Sequence, residues 1–333
     1  MADEDLATRA PESDAQEDAQ AKSGIPGDTK PDQGAASMGE ITKYNDTEVY
    51  ITKPADYPHT SAKLLLLLTG GTGIHSTNNQ LQADRYAAEG YLVVMPDQYA
   101  PPYHQIIPPT SFTNTASSFR FGGDPAPATT TSTAPASENP SVIEQVKLAV
   151  ATTAKSFTID MWLARHTPEK VLPILHRVLT SVKEEFADAA GNGFYAVGYC
   201  FGAKYVLLLG SELHKDVAQG QRAPESTAEE GMMKQGPQFK AGAIAHGTLI
   251  TKEDLAGVSV PLCVVAVEDD AMFPDHVRKE GAMALREKGV EHEVSVYAGV
   301  PHGFAVLGDY EDGKIVAEQE KAFGQMLGWL KAH

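Results

Sequence analysis

The 333-residue chain has few cysteines, a deficit of positive charge and no long apolar run. Two cysteines, Cys200 and Cys263, cannot build a disulfide framework, so a reducing compartment is the default. No apolar stretch approaches the ~20 residues that span a bilayer; the longest, residues 64–68, has the length of a strand. Lys and Arg number 27 against 44 Asp and Glu, a formal charge of −17. Such a surface repels nucleic acid and anionic membranes at long range, and neither is expected as a partner. The N-terminal stretch has no apolar core of a secretory signal and is too acidic for a mitochondrial transit peptide, so a cytoplasmic location is expected. No set of His, Cys and carboxylates has structural zinc spacing, and neither a metal nor another cofactor is expected.

What is present divides into a tail and a domain. Residues 1–38 carry nine acids and three bases, a net −6 that leaves −11 for the rest. Their Ala, Ser, Asp, Glu, Gln, Gly and Pro content cannot bury enough apolar area to order itself, and reads as a disordered acidic tail. Residues 39–333 read as one α/β domain. EVYITK, from Glu48, alternates like a half-buried strand. AKLLLLLTGG (62–71) is a continuous apolar run ending in glycines, as in a strand buried on both faces of a parallel sheet. A helix over 78–90 and a strand over 91–97 complete a strand–helix–strand unit, whose repetition predicts a mostly parallel sheet with helices on both faces. Further strands are predicted at 193–200, 239–247, 260–270 and 292–299, and helices at 168–186, 202–213, 273–289 and 314–333. Pro173 is expected to bend the first of these helices. Two stretches lack period: 101–141, rich in Pro, Thr and Ser with Tyr103, Phe112, Phe119 and Phe121 at its start, and the polar 214–238. Both read as surface insertions, the first as a lid or a disordered excursion.

The chemistry centres on GYCFG, residues 198–202, which is G-x-S-x-G with cysteine at the centre. It sits between a predicted strand and a predicted helix, the context that lifts a nucleophile out of a sharp turn. Glycines allow that turn, and a helix N-terminus favours a thiolate. The N–H of Phe201 would face the same space as an oxyanion donor. The motif alone fits a buried small core cysteine equally well. A nucleophile also needs a base and an orienting acid, in the chain order nucleophile, acid, base for this architecture. VEDDAMFP supplies acids at one strand end, and GVPHGF supplies His302 after the next. Carboxyl ends of parallel strands are where open α/β sheets build their sites. On a strand Asp269 and Asp270 would point to opposite faces, so one of the two serves. His246, at another strand end, is a candidate pocket residue, and Tyr99 and Phe304 join it as candidate substrate contacts. Cys263, in PLCVVAV, reads as structural.

The ordered motifs LQADRYAAEGYLVVMPDQY, GYCFGAKYV, VEDDAMFP and VPHGF resemble the dienelactone hydrolase family, in its fungal-type branch, from about Tyr44 to the C-terminus. The resemblance implies an α/β-hydrolase fold and a carboxylic ester hydrolase similar to carboxymethylenebutenolidase. It implies Cys200 as nucleophile, His302 as base and Asp270, four residues before Pro274, as acid. Gly71 in TGGTG matches the second oxyanion donor. Two positions depart from the bacterial members: Gly70 stands where they carry a glutamate, and Val306 where they carry an arginine for the substrate carboxylate. The expected partner is a small ester or lactone, with the chain a monomer or homodimer. Two rival readings accompany this one, hydrolysis of a polyketide or other acyl thioester and a non-catalytic small-molecule-binding member of the fold.

Overall fold

The computed structural model describes residues 36–99, 166–211, 213–214, 234–235 and 237–333. The acidic stretch 1–35, the insertion 101–141 with its aromatic residues, and most of 214–238 lie outside the described residues. Ten strands are described: β1 (Glu40–Tyr44), β2 (Thr47–Thr52), β3 (Lys63–Leu68), β4 (Tyr91–Pro96), β5 (Phe194–Tyr199), β6 (Leu213–His214), β7 (Lys234–Gln235), β8 (Ala241–Ala245), β9 (Leu262–Val267) and β10 (His292–Tyr297). The described helices are α1 (Thr77–Ala88), α2 (Pro168–Glu185), α3 (Ala187–Asn192), α4 (Phe201–Leu209), α5 (Lys252–Gly257), α6 (Asp275–Lys288) and α7 (Gly313–Ala332).

Eight strands form one sheet in the order β1-β2-β4-β3-β5-β8-β9-β10. β1 and β2 pair antiparallel, as do β2 and β4, and every pairing from β4 to β10 is parallel. The parallel core explains the unbroken apolar runs. In β3, Leu64, Leu66 and Leu68 pack into the cluster shared with α2, α4 and Leu255 of α5, while Leu65 and Leu67 pack into the cluster shared with α1 and α7. Alternation along the strand thus feeds two apolar layers, and from Leu64 to Leu68 every position is buried.

Three elements differ from the sequence reading. β1 (Glu40–Tyr44) is an edge strand with little buried surface, so its sequence carries no strong apolar pattern. It is joined to β2 by Asn45 and Asp46, both at positive φ, which is the backbone of a tight two-residue hairpin turn. α3 and α5 are six residues each, too short to show a helical period. α5 opens on a capping box between Thr251 and Asp254. Within 214–238, the described ends form a two-residue antiparallel pair, Leu213 with Gln235 and His214 with Lys234. Pro173 lies inside α2, which continues through it to Glu185.

Cys263 is fully buried on β9, among the side chains facing α1 and α7, and burial pushes its thiol up to about 12. It is therefore a neutral apolar group in the core. Cys263→Ala is expected to lower stability by about 1 kcal/mol, read in denaturant unfolding, and to leave alkylation of the native protein by iodoacetamide unchanged.

Candidate active site

Cys200 stands between β5 and α4 with φ 52 and ψ −117, a conformation that L-residues avoid. The flanking glycines make the turn sterically feasible. A Cβ on Gly202 would lie 2.3 Å from the backbone oxygen of Leu68, and one on Gly198 would lie 2.7 Å from the oxygen of Gly202. Backbone bonds hold the turn from three sides. Cys200 N–H donates to the Ala245 carbonyl at 3.1 Å, Gly202 N–H donates to Thr69 at 3.0 Å, and the Cys200 carbonyl accepts from Ala203 and Thr248, each at 3.1 Å. Cys200 is half-buried at the head of α4.

Asp270 and His302 lie in the loops after β9 and β10. The imidazole Nδ1–H donates to Asp270 Oδ2 at 2.7 Å, and both side chains are buried. Strand alternation is not what separates Asp270 from Asp269, because β9 ends at Val267, before either acid. The separation comes from the turn. Asp269 takes φ 53 and faces solvent, and Asp270 swings inward with its Oδ1 accepting from Met272 N–H at 2.9 Å. The His302 loop is pinned from behind. Gln319 of α7 donates to the carbonyls of Phe304 and Val306, and Gln82 of α1 accepts from Leu307 N–H.

Thr248 completes the line, and sequence reasoning did not single it out. Its buried hydroxyl lies 3.3 Å from Cys200 Sγ and 3.3 Å from His302 Nε2. The signal that could have found it is its place two residues after His246 at the end of β8, beside the elbow strand in the sheet.

The other candidate residues divide. Tyr99 is buried, and its hydroxyl donates to the Gly70 carbonyl at 2.5 Å, so it anchors the loop after β3 and does not offer that group to a ligand. Gly73 N–H also donates to Gly70, at 3.2 Å. In a trans peptide the N–H of Gly71 points opposite to that doubly held carbonyl, so these contacts fix its direction. A Cβ on Gly70 would lie 3.0 Å from Cys200 Cβ, which places this loop directly against the cysteine. Phe304 is 0% exposed and packs on Tyr297 and His246 in the core. His246 packs edge-on against His302 with ring centroids 5.1 Å apart, is 1% exposed, and neither ring nitrogen has a hydrogen-bond partner among the described residues. Burial, and then the positive charge of His302, hold it well below its ordinary pKa, so it is neutral. Among the described residues no three His, Cys, Asp or Glu side chains are grouped to hold a metal ion.

Electrostatics couple the cysteine to the histidine. Burial alone would raise the Cys200 thiol, but the charge of His302, the Thr248 hydroxyl and the Phe201 N–H outweigh it, and the thiol falls below its ordinary value. Burial alone would lower His302, but the charges of Cys200 and Asp270 outweigh it, and the imidazole is pushed up to about 10. Each group thus shifts toward its charged form, the thiolate and the imidazolium, because the other is beside it.

An eight-stranded, mostly parallel sheet with a strained cysteine turn after β5, an acid after β9 and a histidine after β10 defines an α/β-hydrolase fold. The model of the dienelactone hydrolase family matches residues 48–220 and 230–333, and the chain belongs to that family. It is 28% identical over 297 residues to the hydrolase pyvD of Aspergillus violaceofuscus, covering 89% of this chain and 91% of that one. It is 26% identical over 298 residues to the hydrolase tropI of Talaromyces stipitatus, covering 90% and 91%. A crystal structure from Klebsiella pneumoniae subsp. pneumoniae, described as a dienelactone hydrolase, superposes with a TM-score of 0.58 at 15% identity, over 90% of this chain and 100% of the other. No described helix is long and apolar enough to cross a membrane.

The lowered thiol gives a pH prediction. An ordinary thiol loses its reactivity as pH falls through ~8.5. Cys200 should stay reactive below that point and lose reactivity only as pH falls through its depressed value. The iodoacetamide rate at Cys200, followed by peptide mass spectrometry, should therefore have its midpoint below ~8.5. A midpoint at or above ~8.5 contradicts the coupling.

Proposed function

We propose that this chain hydrolyses a lactone or other activated carboxylic ester through Cys200, His302 and Asp270, by way of a thioester acyl-enzyme. The observation that carries the reading is the connected line Asp270–His302–Thr248–Cys200, with its acid bond at 2.7 Å and its thiol lowered at the head of α4. In this reading Cys200 sulfur attacks the carbonyl carbon. The oxyanion is held by the N–H groups of Phe201 and Gly71, the second aimed by the Tyr99 anchor on Gly70. His302 gives its Nε2 proton to the leaving oxygen and then takes one from water as that water attacks the thioester. Asp270 keeps the other ring proton on Nδ1 throughout.

The choice of substrate class follows from the nucleophile. A thiolate is a better leaving group than an alkoxide, so a tetrahedral adduct of an unstrained ester returns to substrate. An enol lactone escapes because its released enolate tautomerises to a ketone. Gly70 and Val306 put no charged side chain beside the site, and Val306 is buried, which favours a neutral substrate over a carboxylate-bearing one. Both cysteines are free, in keeping with a reducing, cytoplasmic setting. A small-molecule ester is the partner this site fits.

The test compares kcat/KM on enol lactones, aryl esters and acyl thioesters, with neutral and carboxylated members of each. The reading expects neutral enol lactones and aryl esters to lead. A lead for acyl thioesters would favour thioester hydrolysis, and no turnover of any member would favour a binding role. On the best ester, Asp270→Asn should lose roughly two or more orders of magnitude, because the imidazolium loses its partner. The exposed Asp269→Asn should stay within about tenfold. The reverse ranking, with both variants folded, would move the acid to Asp269.

A further inference from the structure

We propose that the Thr248 hydroxyl is the proton relay between Cys200 and His302 in the resting enzyme, an inference that rests on the Cys200–His302 reading above. Its placement is built into the fold. After β8 the chain turns through His246 at φ 36 and Leu249 at φ 56, two non-glycine residues in the left-handed region. Between them, Thr248 N–H donates to the Cys200 carbonyl at 3.1 Å, which ties this turn to the cysteine turn. Gly247 packs closely enough that a Cβ there would lie 2.2 Å from Ile250 Cδ1 and 3.3 Å from Ala203 Cβ. The threonine is thus fixed in register with the cysteine, and its side chain is 5% exposed.

The hydroxyl lies 3.3 Å from Sγ and 3.3 Å from Nε2. A threonine hydroxyl donates one hydrogen bond and accepts others, so two consistent chains exist. With a thiol and a neutral imidazole, Sγ–H donates to Oγ1 and Oγ1–H donates to Nε2. With a thiolate and an imidazolium, Nε2–H donates to Oγ1 and Oγ1–H donates to the sulfur. Passing from the first chain to the second breaks one S–H and one O–H bond and makes one O–H and one N–H bond. The oxygen begins and ends as a neutral hydroxyl, and one proton has moved from sulfur to nitrogen. Asp270 on Nδ1 keeps Nε2 as the nitrogen that faces the relay. Both chains satisfy every member, so the hydroxyl stabilises the charged pair without blocking its formation. Once the sulfur is acylated it no longer takes the Thr248 proton, and Nε2 is released to handle water.

The test is the pH profile of Cys200 alkylation by iodoacetamide in full-length wild type, Thr248→Val and Thr248→Ser, each confirmed folded by its melting curve. Valine keeps the shape and removes the hydroxyl; serine keeps the hydroxyl. We expect Thr248→Val to raise the midpoint by about one pH unit, and so to slow alkylation about tenfold at pH values well below both midpoints, as loss of one hydrogen bond to a charged sulfur requires. Thr248→Ser should lie close to wild type. If valine does not fold, Thr248→Ala carries the same expectation. A hydroxyl-free variant with the wild-type midpoint overturns the relay. So does a serine variant as impaired as valine, since packing of the methyl group would then be the cause. A wild-type midpoint at or above ~8.5 would overturn the parent reading instead, so the two failures are separable.

Discussion

The rest of the site depends on the backbone turn at Cys200. A cysteine at φ 52 and ψ −117 costs on the order of 1–3 kcal/mol and persists only when its surroundings determine it. Here the surroundings are the two glycines, the Leu68 carbonyl pressed against Gly202, and the bonds to Ala245, Thr69 and Thr248. Those three partners follow β8, β3 and β8 respectively or end them, so the neighbouring strands of the sheet fix the turn directly. The strain aims the sulfur away from β5 and toward the loops after β8 and β10. Were residue 200 relaxed to extended backbone, the thiol would follow the strand, and neither Thr248 nor His302 would be in reach.

The second constraint is burial of charge. An unpaired thiolate or imidazolium in this setting would be costly, and burial alone pushes each group toward its neutral form. Together they reverse that tendency, with Asp270 behind the histidine and the Thr248 hydroxyl and Phe201 N–H beside the sulfur. His246, neutral and packed edge-on against His302, adds no competing charge next to the pair. The structure beneath is cross-linked by hydrogen bonds. Gln82 joins the His302 loop to the Tyr199 hydroxyl at 2.9 Å, and Tyr199 in turn contacts the Tyr86 hydroxyl at 2.9 Å. A polar network therefore runs from α1 under the end of β5 to the histidine loop.

The sequence made the parallel core readable because its strands are buried on both faces, which leaves continuous apolar runs such as Leu64–Leu68. It did not reveal β1, whose side chains are largely exposed at the sheet edge, nor α3 and α5, which are too short for a period. At the site, the three candidate positions could be named from motif order together with the family resemblance, and the structure brings Cys200, His302 and Asp270 onto one line. The detail within the line was not readable. Asp270 faces inward because of a turn with positive φ at Asp269, not because of strand alternation. Tyr99 and Phe304 were visible as aromatics near strand ends, but one hydroxyl is committed to the Gly70 carbonyl and the other ring is sealed in the core. Thr248 has no motif at all; its position arises from two left-handed residues on either side of it.

The central claim is that Cys200 carries the acyl group during turnover. Its most direct test is acid quenching of the full-length enzyme during turnover of an activated ester, followed by intact-mass and peptide mass spectrometry with and without neutral hydroxylamine. The account predicts a mass increase equal to the acyl group, located on Cys200, removed by hydroxylamine and absent in Cys200→Ala. An acyl group on any other residue, or full turnover by folded Cys200→Ala, would contradict it.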